Sequence, residues 1–242
     1  VEEVSFCRQL NVDWIVKEEL LTEEGKLHGW ERADGGKILD YSLVILPDEQ
    51  FAAYAQAQGI DPEEFLGQEK LKGIYVDRVR SLDPETQQYQ NRSLLNLQGP
   101  TEVELGREQY DGENNETSAF EAFFSLELTA RAEEFPRETM ASYFSDTILV
   151  TLPESSFGAY EEQLKDILQQ EAYLKAPEHR EVAQQLIDKA QDRNSALYQH
   201  NLYDMRENTE RDQNILLVIR VLTGGFVGLM SLVAVANIFN TI

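Results

Sequence analysis

Twenty-two consecutive residues, Val221 to Ile242, carry no charge, in a chain of 242 residues of which 27% are charged. No other feature limits the fold as tightly, because a run of this kind must find an apolar solvent. At about 1.5 Å per residue it spans about 33 Å as a helix, against a hydrocarbon core of about 30 Å. The wider tail over 215–242, ILLVIRVLTGGFVGLMSLVAVANIFNTI, has one ionisable side chain, Arg220. Core helices of soluble proteins seldom run beyond about 20 residues without a polar stripe. Ser231, Asn237, Asn240 and Thr241 are tolerated where membrane helices pack, and Gly224 with Gly228 forms a small-xxx-small pair suited to such a contact. The tail therefore reads as a transmembrane helix, with Gly224 and Gly228 as its helix-packing candidates.

Ahead of the tail the chain is strongly acidic. All 44 Asp and Glu lie at or before Asp212, opposed by 21 Lys and Arg in the whole chain, for a formal charge of −23. This excludes a nucleic-acid backbone as partner, since counterion release needs clustered bases, and an anionic lipid surface repels it. With 42% hydrophobic residues the chain is no disordered acidic tail. Its single cysteine, Cys7, rules out an intrachain disulfide framework and a multi-cysteine zinc site. The 20 residues before the tail hold Arg206 and Arg211 against Asp204, Glu207, Glu210 and Asp212. Cytoplasmic flanks carry an excess of Lys and Arg, so the acidic part is expected on the extracytoplasmic side of the cell membrane. The N-terminus VEEVSFCRQL lacks the basic and apolar regions of a signal peptide, and the whole reads as a piece of a larger membrane protein.

Within the acidic part, Asp40–Tyr54 (DYSLVILPDEQFAAY) and Asp146–Tyr160 (DTILVTLPESSFGAY) agree at eight of fifteen positions at an offset of 106, among them Pro47/Pro153, Phe51/Phe157 and Tyr54/Tyr160. Each copy is a short apolar strand, Leu43–Leu46 or Ile148–Leu152, running through a proline into an amphipathic helix. Aromatics spaced i, i+3 place both rings of each helix toward a sheet. The pattern implies an internal duplication and a mixed α/β (α+β) fold of two βαβ-type subdomains. The expected division is 1–110 and 111–203 for the subdomains, 204–214 for a juxtamembrane helix and 215–242 for the span.

Strands are also expected over Val4–Lys17, Phe120–Arg131 and Ala196–Leu202, and strands or hairpins over Gly73–Val79 and Ser93–Gly106. Asp61-Pro62-Glu63-Glu64 and Asp83-Pro84-Glu85 are capped-turn signals. A helix is expected from Pro177-Glu178 to about Asp192, with Val182, Leu186 and Ile187 on one face. Asp204 with Glu207 resembles a capping box, and the turn-rich DGENNETS (111–118) divides the two halves.

Catalytic chemistry is not evident. The sequence has no phosphate loop, no His-Glu-x-x-His, no Gly-x-Ser-x-Gly and no dinucleotide fingerprint. His28, His179 and His200 do not share a metal-ligand spacing, Cys7 has no assignable base, and the acids of 111–116 lack EF-hand spacing. The expectation is a non-enzyme without cofactor or metal.

The closing segment GLMSLVAVANIFNTI resembles the start of the second transmembrane helix of FtsX-like (MacB-like) ABC transporter permeases, in which a large mixed α/β extracytoplasmic domain precedes that helix. The resemblance covers about 40 residues closely and the rest in architecture alone. It implies bacterial origin, a cytoplasmic ATPase partner, and a second permease subunit in a dimer. It also implies coupling of ATP-driven motion to export of, or extracytoplasmic work on, a peptide, antibiotic, lipid or lipoprotein. The acidity alone fits a cationic peptide ligand, or simply a well-solvated outer surface. Two other readings stand beside this one: an outer sensor or ligand-binding domain of a membrane-anchored signalling protein, and a soluble enzyme with an unusually apolar last helix.

Overall fold

Alternation of apolar and polar residues makes the two longest strands, β1 (Glu3–Val16), shifted by one residue from its expected bounds, and β8 (Glu116–Arg131), which begins earlier than its pattern indicated. In the computed structural model, which describes residues 2–31, 36–83, 86–111, 116–136, 148–192, 214–215, 217–227 and 230, the chain divides into two compact units. One comprises Val4–Tyr173, the other Val1–Glu3 with Leu174–Ile242.

The first unit is mixed α/β around one large sheet. Its apolar runs form β3 (Lys37–Leu46) and β9 (Ile148–Pro153), buried along nearly their whole length. Both end in the expected proline. Pro47 leads into α2 (Asp48–Ala57) and Pro153 into α3 (Glu154–Leu164), with φ of −50° and −77° at these caps, inside the range the pyrrolidine ring imposes. Phe51 and Phe157 are fully buried, Tyr54 is buried and Tyr160 half-buried, so both aromatic pairs face inward as their spacing required.

The sheet closes on itself. β1 pairs antiparallel with β3 over nine positions, from Arg8↔Ile45 to Val16↔Lys37. β3 lies parallel to β9, β9 antiparallel to β4 (Lys72–Val76), and β4 parallel to β8. β8 forms a long antiparallel hairpin with β7 (Thr101–Asp111), and β7 returns to β1 through Asp13↔Gly106 and Trp14↔Leu105. This last join is short, and the Asp13 carboxylate extends it by accepting from the Glu108 N–H at 2.8 Å. Gly106 sits at a bulge, where a Cβ would lie 2.1 Å from the Glu121 carbonyl oxygen, so only glycine lets the two backbones meet. β10 (Gln169–Lys175) adds to β1 and β2 (Trp30–Glu31) to β3 outside the ring.

Strand alternation separates two cores. The first takes Leu10, Val12, Leu43, Ile45, Leu105, Leu126, Val150 and Leu152 from the ring strands, and α3 adds Phe157 and Leu164. The second lies behind β3, β9 and β4, where Val44, Leu46, Leu149, Ile74 and Val76 meet Phe51 and Tyr54 of α2 and the following Phe65. The two helices thus cover opposite faces. Cys7 is buried in the second core.

Several expectations are adjusted. Strands from both sides of the expected divide feed the one sheet, and the described ends of DGENNETS belong to the paired strands β7 and β8, with Asp111 opposite Glu116; residues 112–115 lie outside the described residues. Gly73–Val79 divides at Asp77 into β4 and β5 (Val79–Leu82). Ser93–Gly106 becomes strand only from Thr101, since Asp77 takes the N–H groups of Leu94 and Leu95, and Leu95 forms a single bridge to Leu21. Asp61 caps a short 3₁₀ turn at Pro62–Glu64, and Asp83 accepts from the Thr86 N–H; Pro84 and Glu85 lie outside the described residues.

In the second unit, α4 (His179–Gln191) matches the expected helix, with Val182 and Leu186 half-buried and Ile187 exposed. Residues 214–215, 217–227 and 230 are helical. The expected strand Ala196–Leu202 and the Asp204/Glu207 capping box lie outside the described residues. Among the described residues no helix is long and apolar enough to cross a membrane; residues 216, 228–229 and 231–242 of the expected span lie outside them.

Candidate functional site

The residue types that ordinarily carry chemistry are scattered. His28 lies after α1 (Glu23–Leu27), its Nδ1 3.0 Å from the Glu24 carbonyl oxygen, and His179 opens α4. His200 lies outside the described residues. No group of three or more His, Cys, Asp or Glu among the described residues is placed to hold a metal ion.

A buried polar node occurs instead at Asp77, which is 1% exposed. Its Oδ1 accepts from the Leu94 N–H at 2.8 Å, its Oδ2 from the Leu95 N–H at 2.9 Å, and the Ser93 hydroxyl donates to the same Oδ2. The Asp77 carbonyl accepts from Arg131 Nη2 at 3.3 Å. A buried carboxylate is retained where backbone donors meet it. Nearby, burial pushes the Tyr41 phenol well above its ordinary range, reinforced by the negative charge of Asp77. Burial likewise raises Tyr75, opposed by Arg131. The Tyr41 hydroxyl is enclosed and has no hydrogen-bond partner among the described residues.

This node anchors an arm. β5 and β6 (Tyr89–Arg92) form a separate two-stranded sheet, and a ribbon of two strands is marginal on its own. Its base is fixed by Asp77, by Thr22 donating from Oγ1 to the Ser93 carbonyl at 2.7 Å, and by the Thr22 N–H on the Leu94 carbonyl at 2.9 Å. Arg92 joins Glu24 at 3.4 Å to Asp83 at 3.1 Å. The approach of α1 is close enough that a Cβ on Gly25 would stand 2.1 Å from the Leu94 oxygen. Toward the tip, Leu82 and its cross-strand partner Tyr89 are exposed. An acid inside the apolar run GIYVDRV was the available sign of this anchor.

The second candidate feature is the helical stretch of the tail. Ile215, Leu217, Val218, Ile219, Val221, Leu222, Phe226, Val227 and Met230 are each 52–68% exposed. Successive helical residues lie 100° apart, so exposure of neighbours such as Leu217, Val218 and Ile219 covers the whole circumference. Gly224 lies on this helix with nothing within 4 Å of where a Cβ would stand. Gly228, its partner in the expected packing pair, lies outside the described residues.

Compared with known proteins, the chain matches no protein family, no curated protein and no solved structure.

Proposed function

We propose that this chain is the extracytoplasmic domain of an FtsX-like (MacB-like) ABC transporter permease subunit, carried on the cell membrane by a span over 215–242. It couples motion driven by a cytoplasmic ATPase subunit to export of, or extracytoplasmic work on, a peptide, antibiotic, lipid or lipoprotein, and has no catalytic site of its own. The observation that carries this reading is the helical stretch of residues 214–215, 217–227 and 230, whose described side chains are apolar apart from Asn214, Arg220 and Thr223 and exposed around its circumference. Helices of that composition rest in a core or in a bilayer, and no described residue encloses this one. Water would leave its apolar surface exposed at about 25 cal/mol for each Å².

Closure of the six-strand ring supports a mechanical role, since each ring strand is held by a neighbour on both sides. The strand–proline–helix units of β3–α2 and β9–α3 represent, in this reading, two copies of a duplicated element. Gly224 and Gly228 serve the contact of the span with a neighbouring membrane helix.

Expressed in cells, the chain is expected to stay in the membrane pellet after alkaline extraction. Phe226→Arg places a charge in the helix and costs about 2.5–3.5 kcal/mol of insertion free energy, about a hundredfold in the equilibrium. Release of the unaltered chain by alkali contradicts the proposed span.

A further inference from the structure

Tyr41 is 1% exposed and belongs to the first core, yet its hydroxyl has no hydrogen-bond partner among the described residues. Buried hydroxyls are paired in the great majority of cases, with protein or with water. The surroundings of this one follow from strand register. β3 and β9 set Tyr41 beside Ile148, and β9 and β4 set Leu149 beside Val76. Asp77, one residue on from Val76, is therefore level with Ile148 and two strands from Tyr41, about 9–10 Å away across the sheet. Tyr41 and Ile148 belong to the first core, as do Tyr75 and Val79 on either side of Asp77. Leu94 and Leu95, whose N–H groups meet the Asp77 carboxylate, belong to it too. Phenol and carboxylate thus enter one enclosed space at the end of the ring, and the Asp77 charge adds to the upward push that burial exerts on the phenol. No direct hydrogen bond joins the two groups.

The carboxylate has an acceptor position to spare. It offers about four, of which the Leu94 N–H takes one on Oδ1 and the Leu95 N–H and Ser93 hydroxyl take two on Oδ2. A guest between the groups has to accept from a phenol that keeps its proton and donate to Oδ1. A metal cation can do neither. Water does both, and a single water commonly joins buried polar groups that stand beyond bonding distance of each other.

We propose that one water molecule is bound inside the ring between the Tyr41 hydroxyl and Asp77 Oδ1. The phenol donates to the water, and the water donates to the carboxylate. β3 is thereby joined through Asp77 to residues 93–95, so ring and arm base share one buried polar chain. Enclosed by the first core, the water leaves only when the unit opens and is long-lived. The inference rests on the first unit alone and holds whether or not the tail spans a membrane.

The test uses the full chain in detergent micelles. Oxygen-17 relaxation dispersion of the solvent counts the waters that outlast the tumbling of the protein. Tyr41→Phe removes a single oxygen and keeps the ring, which packs edge-on against Trp14 at 5.5 Å between centroids. The variant is expected to hold one long-lived water fewer than the parent. Its melting temperature is expected about 2–4 °C lower, the effect of losing one hydrogen bond of ordinary strength in a chain of this size. In the parent, magnetisation is expected to pass from a long-lived water to the Tyr41 ring protons, a reading that needs no variant. Equal water counts in parent and variant overturn the proposal. A parent without that transfer overturns it as well, and so does a variant that melts at or above the parent, since the hydroxyl would then be unpaired in the folded chain.

Discussion

Replacing Asp77 with alanine is expected to destabilise the first unit by about 3–5 kcal/mol, the cost of leaving buried backbone donors unsatisfied. The Leu94 and Leu95 N–H groups both end on this carboxylate, and both residues are buried. The Ser93 hydroxyl loses an acceptor too. At roughly 2–4 °C per kcal/mol for a chain of this size, the melting temperature falls by about 10 °C. Asp77→Asn keeps the shape but turns one acceptor into a donor facing N–H groups, so it recovers only part of the loss. Hydrogen exchange locates the effect: the amides of 93–96 lose protection first, while those of β3 and β9 keep theirs until global unfolding. A melting temperature within about 2 °C of the parent would show that the node anchors nothing.

Truncating Phe157 to alanine is expected to cost about 3–5 kcal/mol. Its ring is fully buried and meets Phe124 edge-on, centroids 6.0 Å apart and planes at 83°, while Tyr160 closes on Phe124 at 5.2 Å. Removal leaves a cavity between α3 and the ring strands that the fixed backbone cannot fill. Phe51→Ala on α2 should lose a similar amount, because Phe51 packs against Phe65 at 5.6 Å in the other core. The two helices cover different faces, so the losses should add within about 0.5 kcal/mol. Their sum approaches the whole stability of a typical domain. Chemical denaturation of the single and double variants reads this directly, and a strong coupling between them would contradict the separation of the two cores.

Those two helices show where the sequence was informative and where it was not. Proline after an apolar run, then Phe and Tyr three residues apart, encodes a local unit, and local units are legible from a chain. The face each helix covers is set by strand pairing. The matching segments are offset by 106 residues (146 − 40), but Tyr41 pairs with Ile148, an offset of 107 (148 − 41). Side chains alternate along a strand, so the difference of one turns every matched residue to the other face. Leu43 enters the first core and Leu149 the second, while Phe51 enters the second and Phe157 the first. Ring closure through Asp13 and Trp14 was equally hidden, since a two-residue join leaves no periodic trace. Asp77 was passed over because one carboxylate in an acidic chain attracts no notice until its donors are seen. The turn-rich stretch 111–118 reads as a divider because turn residues mark a change of direction, whereas the pairing of the strands on either side of it leaves no mark in the sequence.

Function rests on the contrast between an acidic α/β body and an apolar helix that none of the described residues encloses. Around the ring, charge is handled by surface pairs such as Lys70 with Glu127 at 3.1 Å and Glu102 at 3.4 Å. The hydrogen bond from Lys70 holds the Glu127 carboxyl below its usual range. These exposed pairs keep the outer surface soluble and contribute little stability.

The proposed function places the acidic body outside the cell membrane, and the side on which that body stands tests it most directly. In the full-length protein, a single reactive cysteine at Asn114→Cys, in the sequence between β7 and β8, is treated with a membrane-impermeant maleimide on intact cells. The account predicts labelling from outside, equal in extent to labelling after lysis. Labelling that appears only after lysis would put the acidic body in the cytoplasm and contradict the permease reading.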